Sequence, residues 1–180
     1  MKRPIGYLFL LLPILFLLAS CSDDIKELQK SGIPARVTKV SDGDTIRVDM
    51  DGKEETVRLL LIDTPEMGNS EHPPQPFAEE AKAFAENLLT DKQVVLVIGT
   101  EKYDVFGRLL AYVFIDGETV QEKLLREGLA RTAYLLNDLR MLDVFHKAQE
   151  EAMEKEKGIW SIPGYAIPDS NEGFHWQENN

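Results

Sequence analysis

Residues 45–66 read TIRVDMDGKEETVRLLLIDTPE, and this stretch decides the fold. Ile46 and Val48 alternate with polar neighbours, Asp51-Gly52 is a hairpin-turn signal, and Glu55–Ile62 resumes an extended run. Upstream, Val37 and Val40 belong to another alternating run, so three strands open the domain. Downstream, Phe77, Ala81, Phe84, Ala85 and Leu88 recur at helical spacing, which predicts an amphipathic helix over 76–90. Val94–Ile98 and Arg108–Ile115 read as further strands, the second ended by Asp116-Gly117. Val120, Leu124 and Leu125 mark a short helix closed by Gly128, and Leu139, Leu142, Phe145, Ala148 and Ala152 mark a longer one ending near Gly158. Strands first, with one helix among them and two after, predict an α+β domain in which a small antiparallel barrel is covered by helices. Residues 161–180 hold Pro163, Pro168 and several Gly, Asn and Asp and are expected to be irregular, while Tyr165, Phe174 and Trp176 point to partial packing back onto the domain.

The chain is 180 residues with 43% hydrophobic and 28% charged residues, which suits one soluble domain and excludes wholesale disorder, collagen and polytopic membrane architectures. Its one cysteine excludes an intrachain disulfide, a Cys-rich zinc site and an iron–sulfur cluster. The first twenty residues read as a targeting segment: Lys2 and Arg3 precede an uncharged apolar run, Ile5 to Ala19, shorter than the roughly 20 residues of a spanning helix. An uncleaved anchor is the alternative. Leu18-Ala19-Ser20-Cys21 resembles the lipobox of bacterial lipoproteins, which implies a lipidated Cys21 at the start of the mature chain, held on the outer face of a membrane. Residues 21–34 are then expected to be a polar tether.

There is no G-x-S-x-G elbow, Walker loop or dinucleotide fingerprint, and His72, His146 and His175 are too scattered to suggest a metal site. What remains is a set of acids and arginines at strand ends. Asp42-Gly43-Asp44-Thr45 enters a strand; taken alone, it is an Asx-type turn. Arg58 opens the apolar run Leu59–Ile62, and Asp63-Thr64-Pro65-Glu66 leaves it. Hard dications want several oxygen ligands, and Asp44, Asp63 and the carbonyl of Thr64 could supply three. Arg108, after the turn residue Gly107, begins a second apolar strand. Each arginine alone reads first as a surface ion-pair partner, since such pairs are common and individually weak. Together, beside carboxylates able to hold a dication, they are equipment for gripping a phosphodiester.

The blocks DGDT (42–45), RLLLIDTPE (58–66), FGRLLAY (106–112) and GLARTAY (128–134), in this order, resemble the staphylococcal nuclease family. The resemblance runs from about Ala35 to Trp160 and implies a five-stranded OB-fold barrel with three helices. It further implies Asp44 and Asp63 as calcium carboxylates, Thr64 as a ligand through its carbonyl, and Glu66 as general base or water-orienting acid. Arg58 and Arg108 correspond to the phosphate-binding arginines and Tyr134 to a base-stacking tyrosine. Asp42 is expected either to stand just behind the metal ligands or to be structural only. The implied reaction is Ca²⁺-dependent hydrolysis of DNA and RNA to 3′-phosphate products by a monomer.

The chain departs from the best-known secreted member around substrate grip. Val105-Phe106 stands where that member has Lys-Tyr, Leu136 where a second tyrosine is usual, and the loop Met67–Pro76 lacks its lysines. Fewer phosphate contacts are expected to lower affinity for nucleic acid and flatten its salt dependence. The net charge of −11 by itself argues against a polyanionic partner. With a Debye length of about 8 Å at physiological salt, however, local field decides, and Arg58, Arg108, Arg131 and a bound Ca²⁺ are expected to form one basic groove. Two rival classes share the fold pattern: a binding OB-fold without hydrolysis, and an envelope interaction protein that displays its tail. Domains that lose hydrolysis usually lose acids or arginines, whereas Asp44, Arg58, Asp63, Glu66 and Arg108 are all present.

Overall fold

The computed structural model describes residues 24–135 and 138–176. A short helix, α1 (24–30), leads into β1 (Ile33–Asp42), β2 (Thr45–Met50), β3 (Lys53–Leu59) and β4 (Ile62–Asp63). Then come α2 (Ala78–Leu89), β5 (Gln93–Tyr103), β6 (Leu109–Ile115), β7 (Glu118–Thr119), α3 (Val120–Arg126), β8 (Arg131–Thr132), α4 (Leu142–Glu154) and a 3-10 turn (Gly158–Ser161). Strands pair in the order β3-β2-β1-β5-β6, and β3 returns to β6, so five strands close a barrel. This is the expected α+β, OB-like architecture. The closing pair is parallel, with Val57 opposite Leu109 and Leu59 opposite Ala111, while the other barrel pairs are antiparallel.

Local chemistry explains the hairpin. Asp51 (φ 53) and Gly52 (φ 85) both lie in the left-handed region that a two-residue type I′ turn requires. Asp49 Oδ1 accepts from Gly52 N–H at 2.6 Å, and the ladder then runs Met50 to Lys53 through Thr45 to Arg58. Inward residues of this ladder, Ile46, Val48 and Val57, are fully buried. They meet Leu96, Leu109, Ala111 and Val113 from the other barrel strands. Helix α2 lies across β1, burying Ala81, Ala85 and Leu89, and α3 sits between β6 and α4.

Two regions differ from the sequence expectation. The strand expected over Glu55–Ile62 stops at Leu59. Leu61 turns with φ 63, and Ile62–Asp63 leave the barrel to pair with Thr132 and Arg131 of β8. An unbroken apolar run carries no period that reveals such a turn; it is held by Arg58, whose Nη1 donates to the carbonyls of Leu59 and Ile62, each at 2.8 Å. Residues 24–34 are not an extended tether either: α1 packs Ile25 and Leu28 against the core, and Ile33 and Pro34 pair with Leu96 and Val95. A helix is thus added to the three expected. Residues 162–176 form no helix or strand, and Tyr165 within them is buried. Cys21 and Leu136 lie outside the described residues. Among those residues no helix is long and apolar enough to cross a membrane.

Candidate active site

The exit from β3 and the entry to β2 converge at one end of the barrel. Asp44, Arg58, Asp63 and Thr64 are all buried there, a costly arrangement unless every charge is matched. Arg58 Nη2 lies 3.2 Å from Asp44 Oδ2 and 3.3 Å from Asp63 Oδ1. Thr64 N–H donates to Asp44 Oδ2 at 3.0 Å, and Thr45 Oγ1 donates to Asp44 Oδ1 at 3.0 Å. Asp63 Oδ2 accepts from Arg131 Nη2 at 2.9 Å. Burial, followed by the neighbouring charge of Asp44, raises the Asp63 carboxyl above its ordinary pKa; Arg58 and Arg131 oppose this.

Glu66 follows Pro65 at the mouth of this buried set. Its backbone is braced from both sides by Gln75: Glu66 N–H donates to Gln75 Oε1 at 2.9 Å, and Gln75 N–H donates to Glu66 O at 3.0 Å. Partial burial, then the charges of Asp42 and Asp44 and a hydrogen bond shared with the Asp42 carboxyl, push the Glu66 carboxyl up to about 7. Asp42 is raised as well, first by burial and next by Asp44. Four carboxyls thus crowd one barrel end with Arg58 and Arg131 as the guanidiniums among them, an environment that favours a further cation.

The donor set suits a hard dication. Thr64 Oγ1 is buried with no hydrogen-bond partner, beside two carboxylates that are also buried. Gly43 keeps this corner open, since a Cβ there would stand 2.9 Å from Thr64 Cγ2 and Oγ1. Among the described residues no three His, Cys, Asp or Glu side chains converge as a ready metal cage. Two carboxylates completed by a backbone carbonyl and water are the pattern compatible with that finding.

Outside the buried set runs a groove of about 430 Å³, lined by Arg58, Asp63, Glu66, Arg108 and Tyr134 among others. Arg108 is oriented by Asp104, whose Oδ2 accepts from Nε at 2.6 Å and whose Oδ1 accepts from the backbone N–H of Phe106 and Arg108, each at 2.9 Å. Burial works against the Asp104 carboxylate, but these bonds hold it below its ordinary pKa. The Tyr134 ring lies over Arg58, with 5.6 Å from guanidinium carbon to ring centroid. Val105 and Phe106 stand on the rim, 94% and 80% exposed, in a turn that Gly107 (φ 78) closes.

The structure therefore brings Asp44, Arg58, Asp63, Thr64, Glu66, Arg108 and Tyr134 to one place. Arg131 differs from expectation. It is 0% exposed and sits behind Asp63, so it contributes no surface to the groove. Its burial was hidden because its partners are the carbonyls of Ile167, Ser170 and Glu172, in a segment without periodicity. The Asp42 carboxyl shares a hydrogen bond with that of Glu66.

Comparison with known proteins agrees with this geometry. The family described as "Staphylococcal nuclease homologue" matches residues 56–162, which include Arg58, Asp63, Thr64, Glu66, Arg108 and Tyr134. The chain is 40% identical over 149 residues to Endonuclease YncB of Bacillus subtilis, covering 82% of this chain and 69% of that one. It is 40% identical over 126 residues to the Thermonuclease of Staphylococcus hyicus, covering 70% of this chain and 75% of that protein. With the Thermonuclease of Staphylococcus intermedius it shares 36% identity over 164 residues, covering 88% and 98% of the two chains. By its closed barrel, its site and these relatives, the chain belongs to the staphylococcal nuclease family.

Proposed function

We propose that the protein is a Ca²⁺-dependent nuclease that hydrolyses phosphodiester bonds of DNA and RNA and leaves 3′-phosphate ends. The observation that supports this is the convergence of Arg58, Glu66 and Arg108 on one groove that Asp63 also lines, Asp63 and Arg58 in turn being packed against Asp44 and Thr64. Ca²⁺ held by Asp44, Asp63 and the Thr64 carbonyl would supply electrostatic stabilisation of charge developing on the phosphoryl oxygens. Arg58 and Arg108 add guanidinium donors aimed at the same oxygens, pre-set by their bonds to Leu59, Ile62 and Asp104. Glu66, ionised, accepts a proton from the attacking water as the new P–O bond forms and the P–O5′ bond breaks; the departing 5′-oxygen, assisted by Arg108 or a water, takes up a proton from solvent and leaves as a 5′-hydroxyl. A carboxyl whose pKa lies near 7 is a competent base at neutral pH. Tyr134, 43% exposed on the groove wall, offers a stacking face to a base. Lipid attachment at Cys21 would hold the enzyme on the outer face of the membrane, working as a monomer.

Substitution of Glu66 tests the assignment. Glu66→Gln should lower kcat by about 10²–10⁴, the range for a positioned general base, with oligonucleotide binding retained. Steady-state kinetics on single-stranded DNA and RNA oligonucleotides would show it. Turnover within twofold of wild type would remove Glu66 from the chemistry.

A further inference from the structure

Residues 162–176 carry no regular secondary structure, yet they are fastened to the site-bearing segments at three points. The first is Arg131. Its Nη1 donates to the carbonyls of Ile167 and Ser170, each at 2.9 Å, and its Nη2 donates to the carbonyl of Glu172 as well as to Asp63 Oδ2. Phe174 covers the guanidinium, its ring centroid 5.0 Å from Cζ. One fully buried cation therefore joins Asp63 to three carbonyls of the tail. The second point is Tyr134, whose backbone is left-handed (φ 54), an uncommon state for a residue with a side chain. Its N–H donates to Asn171 Oδ1 at 3.1 Å. The third is Tyr165, fully buried, whose hydroxyl donates to the carbonyl of Pro76 at 2.8 Å, next to the Gln75 that braces Glu66.

We propose that this tail is a positioning strap for the active site: through Arg131 it fixes the carboxylate of Asp63, and through Asn171 it sets the backbone of Tyr134. The inference rests on the nuclease reading above. Its physical basis is the pair of guanidiniums on opposite oxygens of Asp63, Arg58 at Oδ1 and Arg131 at Oδ2, which leave that carboxylate no freedom to rotate. Arg131 can occupy this buried position because the strap carbonyls accept from both its Nη groups, leaving Nε alone without a partner; without them the buried guanidinium would keep Asp63 as its one acceptor. The strap is itself latched by Asp169. Its N–H donates to the Thr132 carbonyl at 2.9 Å, and its Oδ1 meets Thr132 Oγ1 at 2.7 Å and His146 Nε2 at 2.9 Å.

Three full-length variants test this: Arg131→Met, Arg131→Lys and Asn171→Ala. Each is measured for kcat and KM on a DNA oligonucleotide at saturating Ca²⁺. Calorimetric Ca²⁺ binding without substrate and thermal unfolding are measured in parallel. At a temperature where all are folded, Arg131→Met should lower kcat by about 10–100-fold, the usual cost of losing a group that orients a metal ligand. It should also bind Ca²⁺ more tightly, because a positive charge has left Asp63. Arg131→Lys, which keeps one charged donor for Asp63, should recover part of the lost kcat. Asn171→Ala should raise KM by roughly threefold to tenfold, part of what base–aromatic stacking contributes, with kcat little changed. A purely structural strap would lower the unfolding temperature of all three and leave kcat and KM within twofold of wild type, and that result would overturn the proposal. Should Arg131→Met not fold, the Asn171→Ala and Arg131→Lys kinetics decide it by the same criteria. An inactive wild type would instead sink the nuclease reading.

Discussion

Gly43→Ala probes the corner where Asp44 and Thr64, two of the residues proposed to hold Ca²⁺, meet. A Cβ at this position would stand 2.9 Å from Thr64 Cγ2 and Oγ1 and 3.0 Å from Ala81 Cβ. Carbon–carbon contacts are comfortable at about 3.5–4.0 Å, so the corner must open by roughly 0.5–1 Å. On one side Ala81 belongs to α2 and is fully buried, with no flexible end to yield. On the other side is Thr64, whose N–H bonds to Asp44 Oδ2 and whose hydroxyl has no partner. Thr64 therefore moves. Overpacking of this kind costs about 1–3 kcal/mol, which for a domain of this size lowers the thermal midpoint by roughly 2–12 °C. A displacement of about 1 Å in a catalytic constellation costs on the order of 10²-fold in rate, so kcat should fall by about 10–100-fold. The assay is kcat on a DNA oligonucleotide at saturating Ca²⁺, at least 20 °C or so below the variant's midpoint. An unchanged midpoint together with kcat within twofold of wild type would refute the claim that Thr64 is wedged by Gly43 and that its placement matters.

Other outcomes follow from the same geometry. Glu66 titrates near 7 in the metal-free fold, above its ordinary 4.5, so the folded state holds its proton more tightly than the unfolded chain. Its contribution to stability is therefore greatest below about 4.5 and is lost as pH rises toward about 7. In excess chelator, the thermal midpoint of wild type relative to Glu66→Gln should fall across that window; a flat or rising difference would contradict it. Val105→Lys with Phe106→Tyr should tighten a nucleotide 3′,5′-bisphosphate. Because both positions are highly exposed, the gain should be about 1 kcal/mol or less, read as an inhibition constant at one fixed salt concentration. No change would show that the rim does not reach the substrate. Cys21→Ala should release the protein from the membrane fraction or leave it as unprocessed precursor, and fractionation with a lipid label would check it; an unchanged membrane pool without lipid would favour the uncleaved anchor.

What the sequence revealed and what it withheld divide along the range of the interactions. The β2–β3 hairpin was legible because Asp51-Gly52 and the alternation of Ile46, Val48 and Val57 are local. Helix α2 was legible from the spacing of Ala81, Ala85 and Leu88, and its observed bounds fall within 76–90. The acids and arginines of the site could be named because they cluster at strand ends, and the fold brings them together. The turn at Leu60–Leu61 could not be read, since its stabilising donor is a side chain, Arg58, and its new partner is β8, some seventy residues on. The seating of α1 on the barrel and the pairing of Ile33 and Pro34 with β5 were missed for a related reason. The polar residues among 24–34 mask two apolar contacts, Ile25 and Leu28, too few to give a clear period. In the sequence nothing local separates Arg131 from the arginines of the groove; only the folded tail shows that it is enclosed.

Hydrolysis of phosphodiesters beside the Asp44–Asp63–Thr64 corner would leave its signature in the products of the purified protein. A DNA oligonucleotide and an RNA oligonucleotide are incubated with Ca²⁺ or with excess chelator, and the fragments are analysed by mass spectrometry. Cleavage of both with Ca²⁺, giving 3′-phosphate and 5′-hydroxyl ends, and none in chelator is the expected result. Intact oligonucleotides in Ca²⁺ would rule out the nuclease reading, and equal cleavage in chelator would rule out the metal.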